Sequence, residues 1–208
     1  MEAAFQNAEV GSSKLTDELL RLEGFSGTKT RHFYNNLLNR DDARYLEIGT
    51  WKGSTACAAM YRNKADVVLV DNWSDFDGPR DECLRNIERF SGENKVKFIE
   101  QDSWSVDVSK IPKRNIYLYD GDHDESSHYK ALVHFYDCLD DTFTFVVDDW
   151  NWDRVRKGTL DAIRDLKLKV LEEYEIRLSH DGSYTEQKDG WWNGIYACVL
   201  SKNKSQAV

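Results

Sequence analysis

The sequence predicts a single α/β domain, in which helices cover both faces of a mainly parallel sheet that ends in an antiparallel hairpin. From residue 44 onward, short apolar runs alternate with helical patterns, and the last two runs follow each other without a helix. The chain has 208 residues, enough for one core, and its 40% hydrophobic and 31% charged residues are typical of a globular protein. We therefore treat residues 1–208 as one domain, with an N-terminal helical segment over 1–42 and a core over 43–202.

The predicted strands are short apolar runs that end in polar or acidic residues. They cover residues 45–48, 67–70, 96–99, 116–119 and 143–147, and the hairpin covers 170–178 and 195–200 with a polar turn between them. Helical spacing of apolar residues covers 15–22, 30–38, 54–62, 80–90, 126–138 and 154–166. The residues before position 15 are polar, and we expect them to be frayed.

The charge balance argues against a nucleic-acid partner, since the formal net charge is -9 and phosphate binding depends on clustered lysines and arginines. No apolar run approaches the roughly 20 residues of a membrane helix, and the start of the chain lacks the apolar core of a signal peptide. The cysteines match neither a CxxC nor a zinc spacing, which favours reduced thiols in the cytoplasm. They are Cys57, Cys83, Cys138 and Cys198.

Two glycines follow the first predicted strand and lead directly into a helix. Gly49 lets the chain turn tightly beside a ligand, and Gly53 permits a close approach of helix and strand. Because these glycines are four apart, the loop matches neither the G-x-G-x-x-G dinucleotide fingerprint nor a P-loop. Asp71, at the end of the second strand, is placed to accept both hydroxyls of a ribose. The pattern therefore predicts a bound nucleoside.

Residues after the third strand are candidates for an adenine pocket. Asp102 and Ser103 can hydrogen-bond the edge of the base, while Trp73 or Trp104 stacks on its face. For Asp102, a plain role in a turn is the alternative.

The order of these motifs, E-x-G-x-x-x-G, then a strand-end Asp, then D-S, closely resembles the class I S-adenosylmethionine-dependent methyltransferases over residues 43–200. The resemblance implies a Rossmann-like three-layer sandwich with seven strands and S-adenosyl-L-methionine as cofactor. It implies that Glu47 and Gly49 lie near the methionine moiety, that Asp71 holds the ribose, and that Asp102 and Ser103 flank the adenine. The full set of expected cofactor-binding residues is Glu47, Gly49, Thr50, Gly53, Ser54, Asp71, Trp73, Asp102, Ser103 and Asp120.

Acidic residues also end the fourth and fifth predicted strands, as Asp120-Gly121-Asp122-His123 and Asp148-Asp149. If these strands are adjacent, the carboxylates converge and repel one another, so they need a cation or raised pKa values. A divalent cation with oxygen ligands, most naturally Mg²⁺, is the simplest explanation. Solvated turn carboxylates, or carboxylates that contact the cofactor amine, are the alternative.

The segment Y-D-G-D-H-D-E-S followed by D-D-W resembles the sugar O-methyltransferases related to the macrocin and novobiocin enzymes. D-G-D-H is closer to a broader methyltransferase group in which metal dependence varies. The resemblance implies Asp120, Asp148 and Asp149 as metal ligands, with Asp122 and His123 as candidates for the general base beside Asp120. A structural role for His123, bonded to a neighbouring carboxylate, stays open.

The expected acceptor is a hydroxyl of a small molecule or glycan, with a deoxyhexose such as rhamnose as the leading class. Aromatic and amide side chains in loops 150–153 and 190–194 suit a sugar ring, although core packing is the alternative for each tryptophan. Arg154 and Arg156 are candidates to bind an anionic part of the acceptor, with plain surface-exposed helix charges as the commoner alternative. The competing functions are an NAD-dependent or nucleotide-sugar oxidoreductase, a metal-dependent hydrolase, and a non-catalytic nucleotide-binding module. The oligomeric state is left open.

Overall fold

A computed structural model describes residues 1–203, and residues 204–208 of the predicted domain lie outside the described part. Its seven-stranded sheet has the order β3-β2-β1-β4-β5-β7-β6. The strands are β1 (Arg44–Ile48), β2 (Asp66–Asp71), β3 (Lys95–Glu100), β4 (Arg114–Tyr119), β5 (Leu139–Asp148), β6 (Lys169–Ile176) and β7 (Ile195–Ser201). Strands β1 to β5 pair in parallel, while β7 runs antiparallel to both β5 and β6.

Seven helices accompany the sheet in the described part of the chain. They are α1 (Glu2–Glu9), α2 (Asp17–Leu20), α3 (Thr28–Leu37), α4 (Ser54–Met60), α5 (Arg80–Phe90), α6 (Glu125–Phe135) and α7 (Asp153–Asp165). Short 3-10 turns follow β3 and α6. Within residues 1–203, no helix combines the length and the apolar composition needed to cross a bilayer.

The alternation of side chains along the strands divides the core into two clusters. Tyr45 of β1 packs with residues of α1, α3, α4 and α5 on one face of the sheet. Leu46 and Ile48 point to the other face and pack with residues of α6 and α7. This arrangement confirms the predicted Rossmann-like three-layer fold with its C-terminal antiparallel pair.

The expectation of a frayed N-terminus is wrong. Residues 2–9 form α1, because Phe5 inserts among aromatic side chains that are distant in sequence. Its ring centroid lies 4.2 Å from that of Phe33, 4.5 Å from that of Tyr174 and 5.3 Å from that of Trp191. Burial of this face stabilises a helix that its own sequence does not predict.

One other element differs from the prediction. The helix expected over residues 15–22 is the single turn α2, because the guanidinium of Arg31 binds the carbonyl oxygens of Leu19, Leu20 and Leu22. These acceptors would otherwise bond the next helical turn. The polar connection expected between the hairpin strands is a loop over 177–194, here called the hairpin loop. It folds back over the carboxyl ends of the parallel strands.

Candidate active site

A cavity of about 750 Å³ opens at the carboxyl ends of the parallel strands. This is the edge where open α/β sheets bind their ligands. The predicted site residues that line it are Gly49, Thr50, Ser54, Asp71, Trp73, Asp102, Ser103, Asp120, Asp122, His123, Asp148 and Asp149. Two predicted residues, Glu47 and Gly53, lie outside the lining. The fold therefore gathers most of the predicted set into one space.

Gly49 lies where the ends of β1 and β4 approach each other. Its φ is +86°, and an added Cβ would run into the carbonyl of Asp120. The neighbouring amide of Asp120 donates to the Ile48 carbonyl at 2.9 Å. Only glycine fits this position without displacing the backbone.

Gly53 has a different role from the one predicted. It takes φ +82° immediately before α4, and a Cβ on it would lie 3.3 Å from the Ile87 side chain of α5. The close approach that it permits is therefore between two helices rather than between a helix and a strand.

The carboxylate of Asp71 organises the two loops beside it. Its Oδ2 accepts hydrogen bonds from the backbone amides of Thr50 and Trp51, each at 2.7 Å, and its Oδ1 accepts one from Trp73 at 2.7 Å. Trp51 and Trp73 both have left-handed φ angles, 43° and 49°, which the carboxylate helps to hold. A carboxylate has about four lone-pair sites, so room is left for a ribose hydroxyl. The predicted ribose contact stays a prediction.

Glu47 is sealed behind the cavity wall. Its carboxyl accepts hydrogen bonds at 2.7 Å from the hydroxyls of Tyr45 and Thr55, and it has no exposed surface. Burial raises the pKa of this carboxyl to about 7, although the two hydroxyls oppose the rise. Thr55 lines the cavity, so only this one side chain separates the Glu47 carboxyl from the cavity.

The predicted adenine end is more open. Asp102 is exposed, accepts a hydrogen bond from the Ser105 hydroxyl at 3.1 Å, and precedes a 3-10 turn that begins at Ser103. The Trp73 ring lies on Phe98, with centroids 5.0 Å apart, and its indole nitrogen donates to the Trp51 carbonyl at 2.8 Å. The Trp73 side chain therefore has a fixed orientation before any ligand binds.

Three aspartates form the acidic floor of the cavity: Asp120, Asp148 and Asp149. Burial raises the pKa of all three carboxyls, and repulsion from Asp148 adds to the rise at Asp120. Asp148 is 2% exposed, and its Oδ1 has no hydrogen-bond partner among the described residues. An unpaired buried carboxylate oxygen is costly, which marks this floor as a place for a positively charged or proton-donating ligand.

His123 faces Asp149 across the floor. Nε2 of His123 lies 3.1 Å from Oδ2 of Asp149, and the side-chain amide of Asn193 donates to Oδ1 of Asp149 at 2.7 Å. This pairing places the proton of a neutral imidazole on Nε2, so Nδ1 is an acceptor, and Nδ1 has no partner among the described residues. Asn193 was not among the predicted catalytic or metal residues.

The closest potential metal ligands are Asp120, His123 and Asp149, whose ligand atoms lie within 4.8 Å of one another. Asp148, which was predicted as a ligand, lies beside this trio rather than in it. Carboxylate oxygens suit Mg²⁺, whereas an imidazole nitrogen suits transition metals. The three groups fit a divalent cation. If His123 is a ligand, a transition metal is favoured, and if only the carboxylates bind, Mg²⁺ is favoured.

Asp122, the other predicted base, is directed elsewhere. Its Oδ2 accepts a hydrogen bond from the hydroxyl of Ser127 in the first turn of α6, at 2.5 Å. Of the two predicted bases, His123 is therefore the one with an unpaired acceptor atom among the described residues, and that atom, Nδ1, is buried.

Aromatic side chains surround the mouth of the cavity. The rings of Phe25 and Trp51 stack with centroids 4.4 Å apart, and Trp192, Tyr184 and Trp152 continue the series at spacings of 6.3 to 6.5 Å. We call these five rings the aromatic rim. The exposed fractions of Phe25 and Tyr184 are 48% and 50%, large for such side chains.

Sequence analysis missed Phe25 and Tyr184 because they lie in loops without periodic pattern. Exposed aromatics in otherwise polar loops were the available signal. The alternative of core packing is confirmed for Trp150, which is 1% exposed and stacks on Tyr196 at 4.2 Å, and for Trp191, which packs on Phe5.

Two amide side chains hold the hairpin loop in place. Asn151 is fully buried and accepts hydrogen bonds from the backbone amides of Leu178 and Ser179. Its own amide group donates to Asn193 Oδ1 at 3.0 Å, and Asn193 in turn holds Asp149. The loop that carries part of the rim is thus bonded to the acidic floor.

The two arginines predicted to bind the acceptor make different contacts. Arg154 lines the cavity, donates from Nε to the His123 carbonyl at 2.9 Å and lies over the Trp152 ring. Arg156 donates to the carbonyls of Trp150 and Asn151, so its guanidinium is used within the loop after β5.

Neither a family model nor a curated protein matches this chain. Solved structures do match over most of its length. TrmN from Thermus thermophilus has a TM-score of 0.60 at 14% identity and covers 89% of this chain, which spans 52% of that protein, about half its length. The methyltransferase PaMTH1 from Podospora anserina, solved with SAH bound, has a TM-score of 0.60 at 12% identity over 98% of this chain and 89% of its own.

A precorrin-6y C5,15-methyltransferase from Geobacter metallireducens has a TM-score of 0.59 at 13% identity, over 83% of this chain and 86% of its own. At such identities the similarity shows the fold, which this chain shares with S-adenosylmethionine-dependent methyltransferases. A shared fold does not determine the reaction, which depends on the residues of the site.

Proposed function

We propose that this chain is an S-adenosylmethionine-dependent O-methyltransferase that acts on a hydroxyl of a small molecule or glycan. The observation that carries the proposal is the single cavity at the carboxyl edge. In it, the loops that Asp71 holds adjoin an acidic floor that carries His123, whose Nε2 contacts Asp149 and whose buried Nδ1 has no hydrogen-bond partner among the described residues. The fold shared with methyltransferases supports the same conclusion.

The residues on the donor side fit an adenosyl group. Gly49 lets the ends of β1 and β4 approach each other at the cavity wall, and the Thr50 hydroxyl beside it is buried without a partner among the described residues. Asp71 keeps about one lone-pair site for a ribose hydroxyl, beside the three backbone amides that it accepts. When bound, S-adenosylmethionine supplies a methyl group on a positively charged sulfur. The work of the chain is to align the acceptor oxygen with that methyl group and to exclude water.

His123 is our candidate for the general base. We infer that Nδ1 takes the proton of the acceptor hydroxyl while Asp149 stabilises the resulting imidazolium and Asn193 keeps Asp149 in position. A positioned base of this kind contributes about 10²–10⁴ in rate. The unpaired Nδ1 and the 3.1 Å contact between Nε2 and Asp149 support this assignment. Because Nδ1 is buried, the assignment requires the imidazole or the residues that cover it to move when the acceptor binds.

We propose that a divalent cation, Mg²⁺, binds between Asp120 and Asp149 near Asp148. Such a cation lowers the pKa of a hydroxyl that coordinates it. The raised pKa values of the floor support the proposal, because a cation would relieve the repulsion among these carboxyls. A preference for Zn²⁺ or Co²⁺ over Mg²⁺ would instead make His123 a ligand and contradict its role as base.

The acceptor that we propose is neutral, with a sugar hydroxyl as the leading class and a deoxyhexose such as rhamnose as the first candidate. The acidic floor repels phosphorylated or carboxylated acceptors. The aromatic rim offers faces on which the apolar side of a sugar ring can stack, and aspartates can accept hydrogen bonds from adjacent hydroxyls.

Calorimetric titration with S-adenosylhomocysteine (SAH) and with NAD, each with and without Mg²⁺, tests the donor. We expect SAH to bind and NAD not to bind, and tight binding of NAD alone would replace the proposal with an oxidoreductase. Asp71→Asn should weaken SAH binding, whereas the same change at Asp77 should not, because Asp77 lies outside the cavity lining. Transfer of a labelled methyl group to rhamnose-containing glycans, compared with amine acceptors, then tests the acceptor.

A further inference from the structure

Arg154 brings a positive charge to a cavity whose other charged side chains are mostly aspartates. It is the one lysine or arginine among the described residues that line the cavity. Its neighbours Arg156 and Lys157 pair with the carboxylates of Asp153 and Glu125, whereas Arg154 forms no salt bridge with any carboxylate of the described residues. Surface ion pairing explains the other two cations and therefore does not explain Arg154.

The place of Arg154 in its helix is also unfavourable for a positive charge. The residue lies in the first turn of α7, which begins at Asp153. The aligned peptide dipoles make this end of a helix positive, so an acidic residue such as Asp153 is favoured there and a cation is disfavoured. A residue that breaks such a local rule is expected to have a compensating contact elsewhere in the fold.

The compensating contacts of Arg154 all lead to His123. Nε of Arg154 donates a hydrogen bond to the backbone carbonyl of His123 at 2.9 Å. The guanidinium lies 4.6 Å from the centroid of the Trp152 ring, and that ring meets the His123 imidazole edge to face, with centroids 5.2 Å apart. A charged donor makes a stronger hydrogen bond than a neutral one, and a guanidinium on an aromatic face adds cation–π attraction. Arg154 therefore contacts the backbone of residue 123 directly and its ring through Trp152.

His123 lies in a part of the chain that has little other support. Residues 121–123, between β4 and α6, belong to neither a helix nor a strand. The described residues bond one other backbone group there, the Asp122 carbonyl, which accepts from the Tyr119 hydroxyl at 3.1 Å. The imidazole itself has a single polar contact among the described residues, from Nε2 to Asp149. A small displacement of the backbone at residue 123 would let the ring turn and bring Nδ1 to the carboxylate instead, because a functional side chain keeps its orientation only when its surroundings hold it.

We propose that Arg154 is a positioning residue, which in the ligand-free chain holds residue 123 so that Nε2 of His123, rather than Nδ1, faces Asp149. The inference rests on the proposed function, in which His123 is the base, and it makes the start of α7 part of the machinery that prepares this base. It also gives the charge of Arg154 a task within the protein. No anionic group on the acceptor is then needed to explain that charge, which agrees with a neutral acceptor.

Nuclear magnetic resonance of the chain with isotope-labelled histidines tests the proposal, because long-range proton–nitrogen spectra show which ring nitrogen carries the proton. The spectra are recorded without metal or ligand at about pH 8.5, where an ordinary imidazole is neutral. The signals of His123 are those that are missing from His123→Gln. We expect a single tautomer in wild type, with the proton on Nε2. In Arg154→Gln the two ring-nitrogen signals of His123 should shift toward each other, since a ring that turns averages its two tautomers.

Arg164→Gln is the matched control. It makes the same chemical change on an exposed arginine of the same helix that lies outside the cavity lining, and its His123 signals should match those of wild type. Thermal melting of both variants checks that they are folded, which we expect because both arginines are exposed.

Four results would overturn the inference. Unchanged His123 signals in Arg154→Gln would reduce Arg154 to a surface charge. Averaged signals in wild type, or a proton on Nδ1, would show that nothing holds the ring in the proposed orientation. The same shift in Arg164→Gln would assign the effect to the charge of α7 rather than to the contact with His123. Loss of the folded state in Arg154→Gln would make Arg154 a general support of the domain. All these measurements are made without methyl donor or acceptor, so failure of SAH to bind would refute the proposed function and leave the measured orientation of His123 as it is.

Discussion

Replacement of Glu47 by glutamine should change how the stability of the chain depends on pH. Burial raises the pKa of Glu47 from an ordinary 4.5 to about 7 in the folded state. The folded state therefore holds a proton that the unfolded state has already released between these two values. The contribution of this proton to the unfolding free energy is fully present below pH 4.5 and is lost as the pH rises through about 7.

The size of the effect follows from the shift. One pKa unit corresponds to about 1.4 kcal/mol, so a rise of this size makes about 3 kcal/mol of the unfolding free energy depend on pH. Glutamine keeps the shape of the side chain but cannot ionise. It retains only part of the bonding to Tyr45 and Thr55, which costs about 1 kcal/mol at every pH.

Urea denaturation of wild type and Glu47→Gln between pH 4.5 and 8 measures the difference. We expect the variant to be slightly less stable at the acidic end and to gain about 3 kcal/mol relative to wild type by pH 8. Glu93→Gln makes the same chemical change on a side chain that is 80% exposed, and it should run parallel to wild type. A difference between Glu47→Gln and wild type that stays constant across this range would refute the argument that burial controls this carboxyl.

Other substitutions test the remaining parts of the site. Gly49→Ala should lower the unfolding free energy by at least about 2 kcal/mol more than Gly92→Ala does. Gly92 is the control because it also has a left-handed φ but has empty space where a Cβ would lie. Equal losses in urea denaturation would contradict a close backbone approach at Gly49. Asp71→Asn should destabilise the chain by about 1–3 kcal/mol, because three backbone amides lose part of their acceptor, and a thermal melt equal to wild type would exclude that role. His123→Gln should lower kcat by about 10²–10⁴ with the Kd of SAH unchanged, and a kcat within threefold of wild type would remove it as the base. Tyr184→Ala should raise the KM of the acceptor several-fold and leave SAH binding intact, whereas weaker SAH binding would place the rim on the donor side.

The sheet and the strand-end residues could be predicted because both depend on local pattern. Each parallel strand is a short apolar run, and the chain must turn at its carboxyl end, so Gly49, Asp71 and Asp120 fall where the fold needs them. The same logic predicted that two acidic ends would meet, because β4 and β5 are adjacent.

What the sequence could not predict depends on contacts between distant segments. Phe5 fixes α1 through Phe33, Tyr174 and Trp191, all distant in sequence, and no local pattern links them. Asn193 reaches Asp149 because the hairpin loop folds over the sheet edge, and a loop without periodicity carries no signal of its path.

The amide pair of Asn151 and Asn193 allows the acceptor side of the site to change in evolution independently of the donor side. The pair bonds the hairpin loop from within, and its partners include the Ser183 carbonyl and the Thr185 amide on either side of Tyr184, whose side chain is 50% exposed. Replacements of exposed side chains at this tip cost little stability, whereas insertions there would break bonds that hold the loop. Descendants of this chain could therefore acquire new acceptors at the tip while their donor half stays constant, and a laboratory selection for altered acceptor range would best begin there.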